Sequence, residues 1–326
     1  MLQPSLQKGR NAIIADSGKY PDENEIAEQV QVKQILIISD GKPGHRNQSL
    51  GLAEAIARQC DVRLCEREPM GRFEALRLCL GGALPLPEDR PALLIGAGHA
   101  THLTLLALRR LYRVPAVVLM KPSIPMGFFD LCLVPDHDQP PVRPNIIATQ
   151  GALNRMRPGK KQPGSGMIMV GGPSKHFTWD EAGVLEQIRA LLTHERRHWQ
   201  IGSSRRTPTS TEQALAAQFG EQFIPAEATG PDWLPQCLAE TEVCWVTEDS
   251  VSMVYEALTA GCRVGILPLA AGEGNRLSQG IARLKAQGLV TQAPDWSLSG
   301  LTAVTDVFNE AERCAEAVLE RGWLDD

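Results

Sequence analysis

The sequence predicts an α/β fold in which two doubly wound, Rossmann-like domains face each other across a cleft. Three observations carry this prediction. The chain has 326 residues, which suits two domains. Short apolar runs alternate with helix-length segments along most of it, as expected for buried parallel strands. A basic segment rich in proline and glycine, 156–166, interrupts this alternation once and is predicted to be the linker.

The first series of strands predicts a domain over residues 32–155. Its first strand, Ile35–Ile38, leads through a glycine-rich turn into a helix with Leu52 and Ile56 on one face. Further apolar runs lie at 62–64, 92–95, 116–119, 131–134 and 146–148. The second series, which predicts a domain over 167–326, comprises 167–170, 199–201, 222–224, 243–246 and 264–267. Residues 1–31 are polar and aperiodic, and we expect a mobile leader there.

Composition argues against several classes of protein. The 33 Lys and Arg residues against 38 Asp and Glu residues give a net charge of −5, so we expect no nucleic-acid partner. The 8 cysteines include no C-x-x-C pair and are expected to be reduced thiols. The sequence shows neither the roughly 20-residue apolar run of a transmembrane helix nor the pattern of a signal peptide. We therefore expect a cytoplasmic protein.

The loop after the first strand concentrates groups that can do chemistry. Its glycines let backbone N–H groups approach a ligand, and the helix that follows favours an anion at its N-terminus. A tight turn with solvated charges is the alternative. His45 is the preferred acceptor base, because imidazole titrates near neutral pH, and Asp40 is the second candidate. The residues expected on the acceptor side of this loop are Lys42, Gly44, Asn47 and Gln48.

The second domain opens with a candidate phosphate cradle. A strand is followed by Gly171, Gly172, Ser174 and Lys175. Thr178 and Glu181 then have the spacing of a capping box, so a helix start is expected close to the glycine pair. The helix dipole and the lysine would act on the same negative charge. An ordinary glycine turn is the alternative.

Two further strand ends of this domain carry polar residues. The first has Ser204, Arg205 and Arg206, whose guanidinium groups suit phosphate oxygens, although adjacent loop arginines are more often solvated. In the second, Asp249 or Ser250 can cap a helix that Gly261 ends. Glu256 on that helix could accept hydrogen bonds from both hydroxyls of a ribose, or be an incidental surface residue. The donor-binding candidates of this stretch are Thr247, Asp249, Ser250, Ser252, Met253 and Glu256.

Three other features are open to more than one interpretation. Asp136, His137 and Asp138 group two carboxylates around an imidazole and could orient an acceptor, serve a base or bind a metal; no metal is expected, since no further ligand is clustered with them. His99 could face the acceptor or serve packing. The segments 73–80 and 105–112 mix apolar and basic residues, which suits either docking on a membrane or an ordinary core helix.

Five segments in this order resemble the mitochondrial-fission ELM (elongated mitochondria) family, whose bacterial members resemble glycosyltransferases. They are Ile38–Leu52, Val134–Asp138, Gly171–His176, Ser204–Pro208 and Thr247–Met253. The resemblance runs from about residue 34 to 290. It implies a GT-B-like fold with an acceptor domain, a nucleotide-sugar domain and a final helix that returns towards the first domain.

The resemblance and the residues together favour a metal-independent glycosyltransferase. It would move a sugar from a nucleotide-diphosphate donor to an envelope or glycolipid acceptor, without a cofactor, and would contact the inner membrane peripherally. Two alternatives stay open. One is a sugar-nucleotide epimerase or hydrolase on the same fold, and the other is a non-catalytic scaffold of the mitochondrial-fission type.

Overall fold

A computed structural model of the chain describes residues 32–84, 90–271, 276–296 and 308–325. The predicted leader, 1–31, lies outside these residues. The described residues from 33 onwards belong to one compact unit. Within the described ranges, no helix is long and apolar enough to cross a membrane.

Two parallel sheets of six strands each form the framework, which confirms the predicted fold class. The first sheet contains, in spatial order, β2 (Val62–Arg67), β1 (Lys33–Ile38), β3 (Pro91–Ala97), β4 (Ala116–Leu119), β5 (Leu131–Pro135) and β6 (Ile146–Thr149). All its neighbours are parallel, with Ile37 opposite Glu66 of β2 and Ile95 of β3. Because every strand runs the same way, the loops that follow β1, β3 and β5 emerge at one edge.

The second sheet repeats this plan with different strands. It contains, in spatial order, β10 (Phe223–Ile224), β9 (His198–Gly202), β7 (Gln162–Met169), β11 (Thr241–Thr247), β12 (Arg263–Leu267) and β14 (Val290–Gln292). The strand β7 begins at Gln162, inside the segment predicted as linker. A small antiparallel pair, β8 (Phe177–Thr178) with β13 (Ala270–Ala271), lies apart from this sheet.

Helices connect most of these strands. Their bounds are α1 (Pro43–Ala57), α2 (Arg72–Cys79), α3 (His102–Tyr112), α4 (Glu181–His194), α5 (Thr209–Phe219), α6 (Trp233–Glu240), α7 (Val251–Thr259), α8 (Arg276–Ala286) and α9 (Glu310–Leu319). The end of α7 follows the sequence prediction, because Gly261 takes φ +78° just after it.

Alternate residues of each central strand bury against different helices. Ile35 and Ile37 of β1 belong to a core with α1 and α9, whereas Leu36 and Ile38 belong to a core with α3. Both faces of the first sheet are thus covered, as the apolar runs predicted. Helix α9 follows the second sheet in the chain but packs against the first sheet. The end of the chain therefore returns to the first sheet.

The structure corrects one local expectation and selects between the two interpretations of another segment. Thr178 and Glu181 form no capping box at α4, because the carboxylate of Asp180 caps it by accepting from Gly183 N at 3.0 Å. The helix α4 also begins well after the glycine pair, with β8 in between. In the segment 105–112, Leu105 and Leu108 are buried in the core, which supports the interpretation of this segment as a core helix.

Candidate functional site

A cleft of about 500 Å³ lies between the start of α1 and the start of α7. It brings together candidates from both halves of the sequence: Gly44, Asn47, Gln48, Arg205, Ser252, Met253 and Glu256. Its remaining walls come from Gly41, Pro43 and Arg46, from residues 152–155 and from Pro231. The cleft is therefore shared by the loop after β1 and the helix after β11.

The N-terminus of α7 reaches this cleft without a side-chain cap. Ser250 occupies the capping position but makes no capping hydrogen bond. Ser252 and Met253, in the first turn, line the cleft. Uncapped N–H groups and the positive end of the helix dipole make such a helix start suitable for an anion.

Glu256 stands one turn further along α7, on the cleft wall. Its Oε1 accepts a hydrogen bond from Asn47 Nδ2 at 3.1 Å, and this bond joins α7 to α1. The carboxylate has no cationic partner among the residues that the structure describes. Burial raises its pKa to about 7, and the hydrogen bond from Asn47 opposes this shift. Glu256 is thus a partly buried acceptor with one side-chain donor among the described residues, fewer than an ionised carboxylate can accept.

The arginines around the cleft differ in what they already bind. Arg46 makes a bidentate pair with Glu66, at 2.8 Å from its Nε and its Nη2. Arg155 pairs with Glu54 at 2.8 Å and with Asp232 at 3.1 Å. Arg205 lines the cleft and has no hydrogen bond or ion pair to any residue in the described part of the chain. Its guanidinium is therefore available to a ligand.

The neighbouring Arg206 has a different environment. Its Nη2 lies 2.7 Å from the carboxylate of Asp249, whose side chain is fully buried, and its Nη1 donates to the carbonyl of Gly172 at 2.9 Å. Arg206 thus joins the loops after β7, β9 and β11. An unpaired Asp249 would be costly to bury, so this arginine holds the loops around the site.

The glycine pair is packed rather than open. Gly171 N–H donates to Thr247 Oγ1 at 2.7 Å, and Gly172 N–H donates to Asp249 Oδ2 at 3.0 Å. A Cβ on Gly171 would lie 2.2 Å from Asp249 Oδ2, and one on Gly172 would lie 2.0 Å from the carbonyl oxygen of Arg206. Both N–H groups are used inside the protein, so the glycines serve close packing of the loops.

The loop after β1 forms an aspartate–histidine pair. Nδ1 of His45 lies 3.0 Å from both carboxylate oxygens of Asp40. Burial opposes ionisation of Asp40, but its hydrogen bonds to His45 and Lys42 N–H and their positive charges hold its pKa below the usual value. The imidazole packs on Gly98, where a Cβ would lie 2.3 Å from His45 Cε1. A carboxylate on Nδ1 leaves Nε2 as the nitrogen that can accept a proton.

The other candidates lie outside the cleft lining. Asp136 and His137 border a separate crevice of about 90 Å³ with Tyr255 and Arg283, and Arg283 Nη1 is 3.8 Å from Asp136. Of the remaining candidates, Lys175, His99, Asp138 and Lys42 are exposed or partly exposed, and Lys42 lies 3.5 Å from Asp40. Ser174 and Ser204 bond within their own loops.

Sequence reasoning missed the contribution of residues 152–155 to the cleft. Asn154 donates to Thr259 Oγ1 at 3.1 Å and its carbonyl packs against Gly51. These residues carry no motif, and their place depends on how α1 meets α7. In the sequence, the one feature near residues 152–155 that pointed to them was the basic segment 156–166 that follows.

The two six-stranded parallel sheets define the class of fold, which is GT-B, glycosyltransferase-like. A Listeria monocytogenes protein assigned as a UDP-N-acetylglucosamine 2-epimerase superposes with a TM-score of 0.55 at 11% identity, over 88% of this chain and 95% of that chain. The kitacinnamycin glycotransferase gives a TM-score of 0.48 at 14% identity, over 89% and 99%. The MnaA–UDP complex of S. aureus gives 0.49 at 10%, over 88% and 95%. At 11% identity, the match to the Listeria protein shows the fold alone.

A family model described as Mitochondrial fission ELM1 matches residues 43–322. The chain therefore belongs to this family, as its five segments predicted. No curated protein sequence gives a significant match.

Proposed function

We propose that the protein is a metal-independent glycosyltransferase that binds a nucleoside-diphosphate sugar in the cleft between α1 and α7. One observation carries this proposal: the partly buried carboxylate of Glu256 stands beside the uncapped start of α7. The ribose hydroxyls would donate to Glu256, one turn from the N–H groups that would receive the diphosphate. Arg205 would supply the second positive group on the diphosphate.

The transfer step would use the Asp40–His45 pair. The acceptor hydroxyl would lose its proton to Nε2 of His45 as its oxygen bonds to the anomeric carbon and the bond to the diphosphate breaks. The electron pair of that bond stays on the leaving diphosphate, whose charge the start of α7 and Arg205 would stabilise. Asp40 would hold the imidazole in the required tautomer, at the observed 3.0 Å.

The acceptor side is the loop after β1 with Gly44, Asn47 and Gln48 on the cleft. An envelope or glycolipid acceptor is part of the proposal, and with it a cytoplasmic location with peripheral contact at the inner membrane. In this proposal, the residues that line the cleft determine which donor binds, and the surfaces around the cleft determine which acceptor binds.

The test is nucleotide binding by thermal shift and calorimetry. A panel of UDP, GDP, ADP, CDP and dTDP, each also as a sugar conjugate, is offered to the native protein, because a ligand of the folded state raises its melting temperature. We expect one nucleotide to bind. Glu256→Ala is expected to weaken the affinity for this nucleotide by about tenfold or more. Glu316→Ala, the same change at an exposed residue of α9, is expected to leave the affinity unchanged. Binding that is absent, or equal in Glu256→Ala, would refute the proposal.

Product analysis then separates the related activities. A transferase needs an acceptor, whereas release of the free sugar or formation of its epimer without acceptor would indicate a hydrolase or an epimerase. A scaffold would keep its partner binding after His45 and Glu256 are replaced.

A further inference from the structure

Helix α2 presents an apolar face that no described residue covers. Phe73, Leu76 and Leu80 are 92%, 47% and 80% exposed, and their spacing of three and four residues places them on one side of the helix. On the opposite side Ala75 and Leu78 are buried in a cluster with Ala107 of α3. The helix is thus held in place by one face and is apolar on the other, which a helix facing water alone does not require.

Positive side chains border this face. Arg77 lies within it and Arg72 on its flank, and both are exposed. Arg110 of α3 adds a third, since a Cβ on Gly81 would lie 3.4 Å from its Nη2. Glu74 is the one acidic residue of α2. The charge around this face is therefore positive, although the net charge of the whole chain is −5.

The helix also starts at the edge of the first sheet that carries the candidate base. It follows β2, and the last residue of β2, Arg67, accepts a hydrogen bond from Ser39 N–H at 2.9 Å. Arg46 in turn pairs with Glu66. The start of α2 therefore lies at the same edge of the first sheet as the loop that contains Asp40 and His45.

We propose that the outward face of α2 docks on an anionic phospholipid bilayer. Phe73, Leu76 and Leu80 would enter the interface between headgroups and acyl chains, and the arginines would meet lipid phosphates. Its purpose rests on the proposed function, since a glycolipid acceptor would reach the Asp40–His45 loop from the bilayer. Three side chains bury far less than the roughly 1,600 Å² of a stable protein interface, and a two-fold contact would bring like charges together, so a second copy fits this face less well.

The test is sedimentation of the full chain with vesicles of equal parts phosphatidylglycerol and phosphatidylcholine, at low salt. We expect binding that falls at high salt and on vesicles of phosphatidylcholine alone. The double variant Phe73→Gln with Leu80→Gln changes two exposed side chains, so its fold is retained, and we expect it to bind about tenfold or more weakly. Val142→Gln, at a fully exposed residue of the loop before β6, is the matched control and is expected to bind like the native chain.

Equal vesicle binding by the native chain and the double variant would overturn the proposal, as would no binding by the native chain. The proposal would also be overturned if the native chain were a dimer that did not bind vesicles and the double variant were a monomer. That result would show that this face joins two copies of the chain. Nucleotide binding measured on the same samples keeps the two proposals apart. The double variant is expected to retain it, and its absence from every sample would count against the proposed function alone.

Discussion

Glu256 has opposite effects on stability and on ligand binding. Its pKa is about 7 in the folded protein against roughly 4.3 in an unfolded chain, so the folded state favours the protonated carboxyl. The stabilisation is complete below the unfolded pKa and is lost as the pH rises through 7. Above that pH an ionised, buried carboxylate costs stability. Donation from ribose hydroxyls would reduce this cost.

We therefore expect Glu256→Gln to be more stable than the native chain at pH 8, by up to about 3 kcal/mol, and equal to it near pH 4. Urea unfolding at the two pH values measures the difference. A variant that is less stable at pH 8 would show that the carboxylate is compensated in the fold. Glu316→Gln, at an exposed residue, is the control.

His45 and Asp40 make a kinetic prediction. His45→Ala is expected to lower kcat by about 10²- to 10⁴-fold with nucleotide affinity unchanged, because the imidazole is outside the cleft lining. Asp40→Asn is expected to lower kcat as well, since an amide at 3.0 Å can hold the wrong tautomer. Unchanged turnover in His45→Ala would remove it as the base.

At the level of elements, the site depends on how closely α1 meets the segment 152–155. A Cβ on Gly51 of α1 would lie 2.4 Å from the carbonyl oxygen of Asn154, where backbone would have to move. Gly51→Ala is expected to destabilise the fold by about 1–3 kcal/mol. Gly280→Ala in α8, with nothing within 4 Å, is the control and is expected to stabilise by about 0.5–1 kcal/mol. Equal melting temperatures would contradict this packing.

Elements were predictable where the pattern was local. The apolar runs marked eleven of the twelve strands of the two sheets, β1–β7 and β9–β12, because burial on both faces leaves a continuous signal. The short strand β14 gave no comparable run. The start of α4 was misplaced because Thr178 and Glu181 mimic a capping box that Asp180 supersedes.

The candidate site was predictable in part for the same reason. Glu256 and Ser252 stand on one helix after one strand, so their proximity follows from spacing. Other contacts form only because three loops meet in space. They are the ion pair of Arg206 with Asp249 and the hydrogen bonds from the glycine N–H groups to Thr247 and Asp249. No local pattern distinguishes such an arginine from Arg205, whose side chain has no partner among the described residues.

For the whole molecule, α9 joins the end of the chain to α1. Val318 is fully buried in the core that α1 and β1 share. Val318→Ala is expected to lower the free energy of unfolding by about 2 kcal/mol, and Glu316→Ala, on the exposed side of α9, is expected to leave it unchanged. Thermal unfolding of the two variants checks this. An unchanged melting temperature in Val318→Ala would mean that α9 is not docked on α1.

The central claim is that the cleft binds a nucleoside-diphosphate sugar through ionised Glu256. Calorimetry of the bound nucleotide-sugar at pH 8 and pH 6, with the native chain and Glu256→Gln, tests it most directly. A carboxyl with a pKa of about 7 is mostly ionised at pH 8 and mostly protonated at pH 6, so native affinity is expected to fall by about tenfold between them. Glu256→Gln is expected to bind weakly at both. An equal pH dependence in the variant, or native-like affinity, would contradict the account.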